Sequence, residues 1–311
     1  MLLASGVLAA LAVALAWPVP VALSRAQWPT RSPGVALALW QAIALGGGLS
    51  MIGALLGFGL APAGGDLPAA LGALAAGFLH GPLPVAFGAL HLFLLSAAVL
   101  LALDLLLNLA DTAIRTERER RRHRELVTLL STPSADAPRT HVLDHPAPMA
   151  YCLPGVRTQT VLSNGLIGLL DAKELQAVLA HEQTHLRQYH HLVLLAFRAW
   201  RNALPWFPIA NRAERAVAVL VELLADDDAR RRVDRATLSN AILKVGTSWE
   251  APDASGGAST VASPDAEVIR VRVRRLASDA PALSAPAVAA VLAIAALLVA
   301  FPAAFMLSLV F

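Results

Sequence analysis

A chain of 311 residues in which 57% are hydrophobic and only 15% are charged is too apolar for an ordinary soluble enzyme, yet has room for a membrane bundle and one modest soluble domain. The formal charge of +3 is too small to argue for a nucleic-acid partner, so the arginines inform mainly through where they cluster. Cys152 is the only cysteine, which excludes an internal disulfide framework and a thiolate-rich metal site and leaves His and carboxylate as the available ligands.

Three stretches near the N-terminus, residues 2–23, 35–61 and 85–103, are long enough to cross a bilayer, which takes about 20 apolar residues. The first contains Ala14-Leu15-Ala16, which resembles a signal cleavage site, but no basic residue precedes Arg25; it reads as an uncleaved anchor. Residues 67–79 are apolar but short, Gly-rich and followed by Pro82 and Pro84, and read as a re-entrant or interfacial piece. A fourth span covers residues 287–310. Arginines 115, 118, 120, 121, 122 and 124 follow the third span, and Arg270, Arg272, Arg274 and Arg275 precede the fourth. The positive-inside rule then makes the intervening domain cytoplasmic and both termini external. The expected division is a three-span region (1–110), a cytosolic domain (111–281) and a C-terminal transmembrane helix (282–311) in a bacterial inner membrane. The arginine run at 115–124 reads as an anchor to anionic lipid, with no direct nucleic-acid binding. Asp104, Asn108 and Asp111 share a helix face at the cytoplasmic end of the third span, where they either meet the headgroups or couple that helix to the domain.

Within the hydrophilic region, residues 132–148 read as loop with a short strand near 141–143, and residues 157–163 as a strand ending in an Asn164-Gly165 turn. Asp171 with Glu174 three residues later forms a capping-box pattern, and the helix it starts continues by apolar periodicity towards Trp200 until Pro205. A second helix is expected over 213–232 and a Gly/Ser/Ala/Pro linker over 251–265. Residues 268–275, alternating Arg and Val, are ambiguous between strand and interfacial helix.

His181-Glu182-Gln183-Thr184-His185 is an HExxH pattern on the first of these helices. Residues four apart are separated by roughly 40° around a helix, so both imidazoles face one side and suit a single zinc ion. Glu182 falls beside the metal, where it can take a proton from the attacking water and return it to the leaving amine. A third ligand is needed. His191 has the spacing of an HExxH extended through a glycine turn, but position 188 is Gln188; with the helix unbroken, His190 and His191 point away. The other candidate is Glu222, set among Val219, Leu220, Val221, Leu223 and Leu224, since a carboxylate in such a run usually has a partner. Asp226 shares its face and can accept a hydrogen bond from a ligand imidazole. Asp227 and Asp228 turn away and read as solvated. Tyr189, His190 and Arg230 are candidates for stabilising the oxyanion, with none preferred.

The succession Tyr151-Cys152-Leu153-Pro154-Gly155, then Val161 to Leu166, then Glu174 to Glu182, then Glu222 to Asp226 resembles the BlaR/MecR-type membrane metallopeptidases and, more distantly, the HtpX-type proteases. The resemblance implies a mainly α membrane protein: four transmembrane helices with a cytosolic α+β, gluzincin-like zinc metallopeptidase domain inserted between spans 3 and 4. It implies one zinc at His181, His185 and Glu222, Glu182 as general base, and Asp226 hydrogen-bonded behind a ligand. It also implies that residues 157–163 form an edge strand that aligns an extended substrate. The antibiotic-sensing members carry a penicillin-binding domain after the last span; no Ser-x-x-Lys motif follows that span here, so direct β-lactam sensing is not expected. The resulting expectation is a membrane-embedded zinc endopeptidase cleaving a cytosolic or membrane-associated protein, with a winged-helix repressor as one candidate. The alternatives are an HtpX-like quality-control protease and a non-catalytic signalling scaffold, the latter disfavoured by the intact Glu182. Substrate, trigger and oligomeric state are not legible.

Overall fold

Long apolar runs must satisfy their own backbone groups, and the α-helix does so within one segment. The computed structural model describes residues 1–64, 67–80, 87–133, 140–153, 159–205, 208–249 and 264–310. The helices before the sheet are α1 (Leu2–Ala16), α2 (Pro18–Arg25), α3 (Trp28–Arg31), α4 (Pro33–Gly59), α5 (Leu67–His80) and α6 (Ala89–Leu130). Four strands follow, β1 (Ser131–Pro133), β2 (Thr140–Leu143), β3 (Ala150–Leu153) and β4 (Gln159–Ser163). Then come α7 (Asn164–Leu169), α8 (Ala172–Arg187), α9 (His190–Ala203), α10 (Pro208–Ala229), α11 (Arg235–Trp249), α12 (Pro264–Ala277) and α13 (Ala285–Leu307). The chain divides into two compact units. One comprises Met1–Ala110, Phe197–Ala216 and Leu283–Phe311; the other, Asp111–Ala196 and Val217–Ala282.

Four stretches are long and apolar enough to cross a membrane: Leu2–Arg25, Pro33–Gly59, Ala89–Leu130 and Ala285–Leu307. The first is interrupted at Trp17, between α1 and α2. The third does not end at Leu103: nothing from there to Leu130 is Gly or Pro, and Glu117 pairs with Arg121 at 3.0 Å and Arg124 at 2.9 Å along the helix, so one 42-residue helix runs on. Asn108 likewise donates to Asp104 Oδ1 at 2.9 Å and Arg115 pairs with Asp111 at 2.8 Å, contacts that stay within α6. The 14 residues of α5 are too few for a span, and Pro82 and Pro84 lie outside the described residues. Helix α4 packs against α1 and α13 through positions without side chains. A Cβ on Gly46 would strike the Leu298 carbonyl, and one on Gly57 would lie 2.8 Å from the Phe305 ring and against Ser5 Oγ. Small residues that let backbones approach are the usual contact between helices in lipid.

The second unit holds a four-stranded sheet of order β1-β2-β4-β3. Strands β2 and β4 are parallel, with His141 opposite Val161; the β1–β2 and β3–β4 pairs are antiparallel, with Tyr151 opposite Val161 in the latter. This corrects one expectation: the segment expected as an edge strand is β4, which lies inside the sheet, and β3 forms the edge beside it. Arg157 and Pro154-Gly155 lie outside the described residues, as does the expected linker up to residue 263. The Asn164-Gly165 turn is the start of α7. Ser163 caps it, accepting from Leu166 N at 3.1 Å while donating to Ala147 O at 2.7 Å. Gly165 is required there because a Cβ would collide with the Pro146 carbonyl.

Helix α8 begins on the capping box that Asp171 and Glu174 foreshadow. Glu174, almost fully buried, also accepts from Lys244 Nζ at 2.7 Å, which fastens α8 to α11. Ala177 and Ala180 of α8 join Ala229, Leu238, Ile242 and Leu276 in a core to which Ile269 and Val273 add. Residues 268–275 are thus helical. Ile269, Val273 and Leu276 recur at helix spacing and bury one face of α12. Two helix ends differ from expectation. Helix α8 stops at Arg187, and the second helix runs from Pro208 to Ala229.

Candidate active site

The i, i+4 spacing on α8 brings His181 and His185 together with their Nε2 atoms 3.1 Å apart. Helix α10 presents Glu222 to both, its carboxylate oxygens 3.2 Å from His181 Nε2 and 3.4 Å from His185 Nε2. One donor atom from each of the three lies within 4.8 Å of the others. Two imidazole nitrogens and a carboxylate oxygen form a three-ligand donor set of the kind that fits a catalytic divalent cation, zinc above all. The outer nitrogens are also occupied. His181 Nδ1 lies 2.9 Å from Asp226 Oδ1, and His185 Nδ1 lies 3.1 Å from His190 Nδ1.

Arg272, on α12, is the part that the sequence reading missed. Its guanidinium binds Asp226 through two hydrogen bonds, Nε to Oδ2 at 2.9 Å and Nη2 to Oδ1 at 2.7 Å, and reaches Glu222 Oε2 at 3.1 Å. One turn on, Arg275 grips Asp227 with bonds of 2.6 and 2.8 Å. Asp228 takes Arg187 and lies 2.9 Å from Thr184 Oγ1. Asp227 and Asp228 are therefore not simply solvated, as expected, but tie α10 to α12 and α8. Arg272 falls on the same buried face as Ile269, Val273 and Leu276, so helical periodicity was the available signal; the run of arginines beside a span masked it.

His190 is the second surprise. An unbroken helix would turn it away, but Tyr189 adopts φ +52°, a left-handed conformation that costs a non-glycine residue about 1–2 kcal/mol. The chain restarts as α9 with His190 facing back. His190 is 1% exposed, and its Nε2 lies 3.0 Å from Gln188 Oε1. His191 is outside the cluster, with its ring 6.2 Å from that of Tyr189. Of the residues considered for the oxyanion, Tyr189 is exposed and Arg230 lies near Asp227 at 3.7 Å.

Burial and the Arg272 charge push the His181 imidazole down, but its hydrogen bonds to Asp226 and Glu222 outweigh them and hold its pKa at about 9. Burial raises Glu222 and Asp226, yet hydrogen bonds from His181 to both, and from Arg272 to Asp226, win; Glu222 stands at about 2 and Asp226 is lowered further. Burial pushes His185 and His190 down to about 4, so both rings are neutral near pH 7. Glu182 moves the other way. Burial, with the Glu222 charge adding to it, lifts its carboxyl to about 7, which suits a group that must both accept and release a proton.

A cavity of about 570 Å³ opens beside these groups. His181, Glu182, Glu222 and Arg272 line its polar end, and Leu166, Val178, Ile242, Val245 and Ile269 are among its apolar walls. Ala150 of the edge strand β3 also borders it.

Residues 114–221 match the profile of Peptidase family M48. The match covers about a third of the chain, includes His181, Glu182 and His185, and stops one residue short of Glu222. It points to a metallopeptidase, and the four apolar helices are compatible with a multi-pass membrane protein. Glu222, Asp226 and Arg272 lie beyond the matched residues. Comparison with curated proteins and with solved structures found no match.

Proposed function

We propose that this chain is a membrane-embedded zinc endopeptidase that cleaves a protein at the cytosolic face of a bacterial inner membrane. The observation that carries the reading is the convergence of His181, His185 and Glu222 donor atoms within 4.8 Å beside Glu182. One zinc per chain, held by these three groups, would supply the Lewis acidity that lets water attack an amide at neutral pH. Glu182 accepts a proton from that water and passes it to the leaving amine. An extended substrate pairs with β3, the outermost strand on that side among the described residues, by β-augmentation, and one of its large apolar side chains enters the cavity between α8, α11 and α12.

The resemblance to the BlaR/MecR type supports a winged-helix repressor as substrate, and the broad apolar cavity equally suits an HtpX-like protease acting on damaged membrane proteins. The arginine clusters near the two ends of the second unit, at 115–124 and 270–275, support its cytoplasmic orientation. The test is metal content together with cleavage of casein by detergent-purified protein, for wild type, Glu182→Ala and Glu222→Ala. About one zinc per wild-type chain, retained without cleavage in Glu182→Ala and lost with it in Glu222→Ala, is the expected result. A wild type that binds no metal removes the peptidase reading and leaves a signalling scaffold.

A further inference from the structure

A histidine that ligates through Nε2 must carry its proton on Nδ1, and that proton needs an acceptor to fix the tautomer and the ring plane. For His181 the acceptor is the Asp226 carboxylate. For His185 the outer nitrogen meets, among the described residues, another imidazole, His190 Nδ1 at 3.1 Å, whose far nitrogen faces Gln188 Oε1 at 3.0 Å. A neutral imidazole has one donor and one acceptor nitrogen. Gln188 Oε1 can only accept, so it holds the proton of His190 on Nε2 and leaves Nδ1 with its lone pair directed at His185. The three side chains thus form a chain in which every proton has one place: His185 Nδ1–H to His190 Nδ1, and His190 Nε2–H to Gln188 Oε1.

The backbone is bent to build it. Tyr189, between the two partners, is the only non-glycine residue with positive φ among the described residues, and without that bend α9 would carry His190 off the site. A backbone conformation of this kind persists where the surrounding structure over-determines it, and such places cluster at functional sites. We infer that His190, with Gln188 behind it, is a positioning residue that fixes His185 as a metal ligand. The inference rests on the zinc reading above and makes its own demand on it: the two histidine ligands are held by different chemistry, a carboxylate behind one and a neutral relay behind the other.

The test measures zinc affinity of stripped, full-length protein by competition with a chromophoric chelator, and the visible absorption of the cobalt(II)-loaded protein, for wild type, His190→Leu and His190→Asn. Leucine keeps bulk and removes the acceptor, and zinc should bind about 10–100-fold more weakly with an altered cobalt spectrum. Asparagine sets Oδ1 where Nδ1 stood and should recover most of the affinity and the wild-type spectrum. A buried histidine that only fills space would show the reverse, with leucine tolerated and asparagine not. Should His190→Leu lower the unfolding temperature of the stripped protein, Gln188→Ala, at an exposed position, replaces it; a several-fold loss of zinc affinity is expected, and wild-type affinity overturns the inference. If wild type itself takes up no metal, the zinc reading has failed; if wild type and His190→Leu bind equally, only the role of His190 has.

Discussion

The two units of the molecule solve the same packing problem in opposite ways. In the first, α4 meets α1 and α13 where side chains are missing, at Gly46 and Gly57, and the buried Ser50 hydroxyl has no hydrogen-bond partner among the described residues. In the second, α10, α12 and α8 share the apolar core around Ala180, Ala229 and Leu276 and add charges to it, with Arg272 on Asp226 and Glu222, Arg275 on Asp227, and Arg187 on Asp228. Four helices of this length and apolarity are compatible with a membrane, and in lipid, where pressing apolar helices together brings no hydrophobic gain, close approach would do the holding. Around a cation site, negative groups are needed inside the protein, and each must find a positive neighbour to be buried at all. The contrast teaches that fastening and chemistry share residues in the second unit and are separate in the first.

The sharpest way to break the contrast is Asp226→Ala. It removes the two-pronged partner of the buried Arg272 guanidinium, leaving Glu222 at 3.1 Å as its remaining carboxylate, and should destabilise the second unit by about 3 kcal/mol, the lower end of the cost of breaking a buried pair. It should also weaken zinc binding about 10–100-fold; denaturant unfolding and chelator competition measure the two losses. Next comes pH. Zinc needs an unprotonated nitrogen, while Asp226 and Glu222 hold the His181 proton up to about 9. Below that value zinc must displace the proton, so apparent affinity should rise about tenfold per pH unit from pH 7 and level off near 9; titrations at several pH values, with proton release followed by an indicator dye, test this. The smallest effect belongs to the first unit. Gly57→Leu would press on Phe305 and Ser5 and should cost about 1–3 kcal/mol, lowering thermal stability in detergent while zinc affinity of the surviving folded protein stays unchanged. A matching loss of zinc affinity would mean that fastening and chemistry are not separate there.

What could be read from the chain without its fold follows the same division. The His181–His185 face and the capping box under it are local, set by residues three or four apart, and both stood in the sequence. Glu222 was exposed by an apolar neighbourhood that could not otherwise tolerate it. Arg272 was hidden because an arginine beside a span marks topology and a buried arginine marks an ion pair, and the letter is the same. The place of β4 inside the sheet depends on its parallel pairing with β2, a contact between segments no short pattern connects. His190 was hidden by a bend at tyrosine, where glycine would have announced it.

The guanidinium that completes the site stands 46 positions after the carboxylate it neutralises. Chain synthesis therefore supplies Asp226 and Glu222 before the arginine that pairs with both. The arrangement described above is complete only once α12 has been made and docked, so a nascent chain carries its HExxH helix without the guanidinium that the finished site holds.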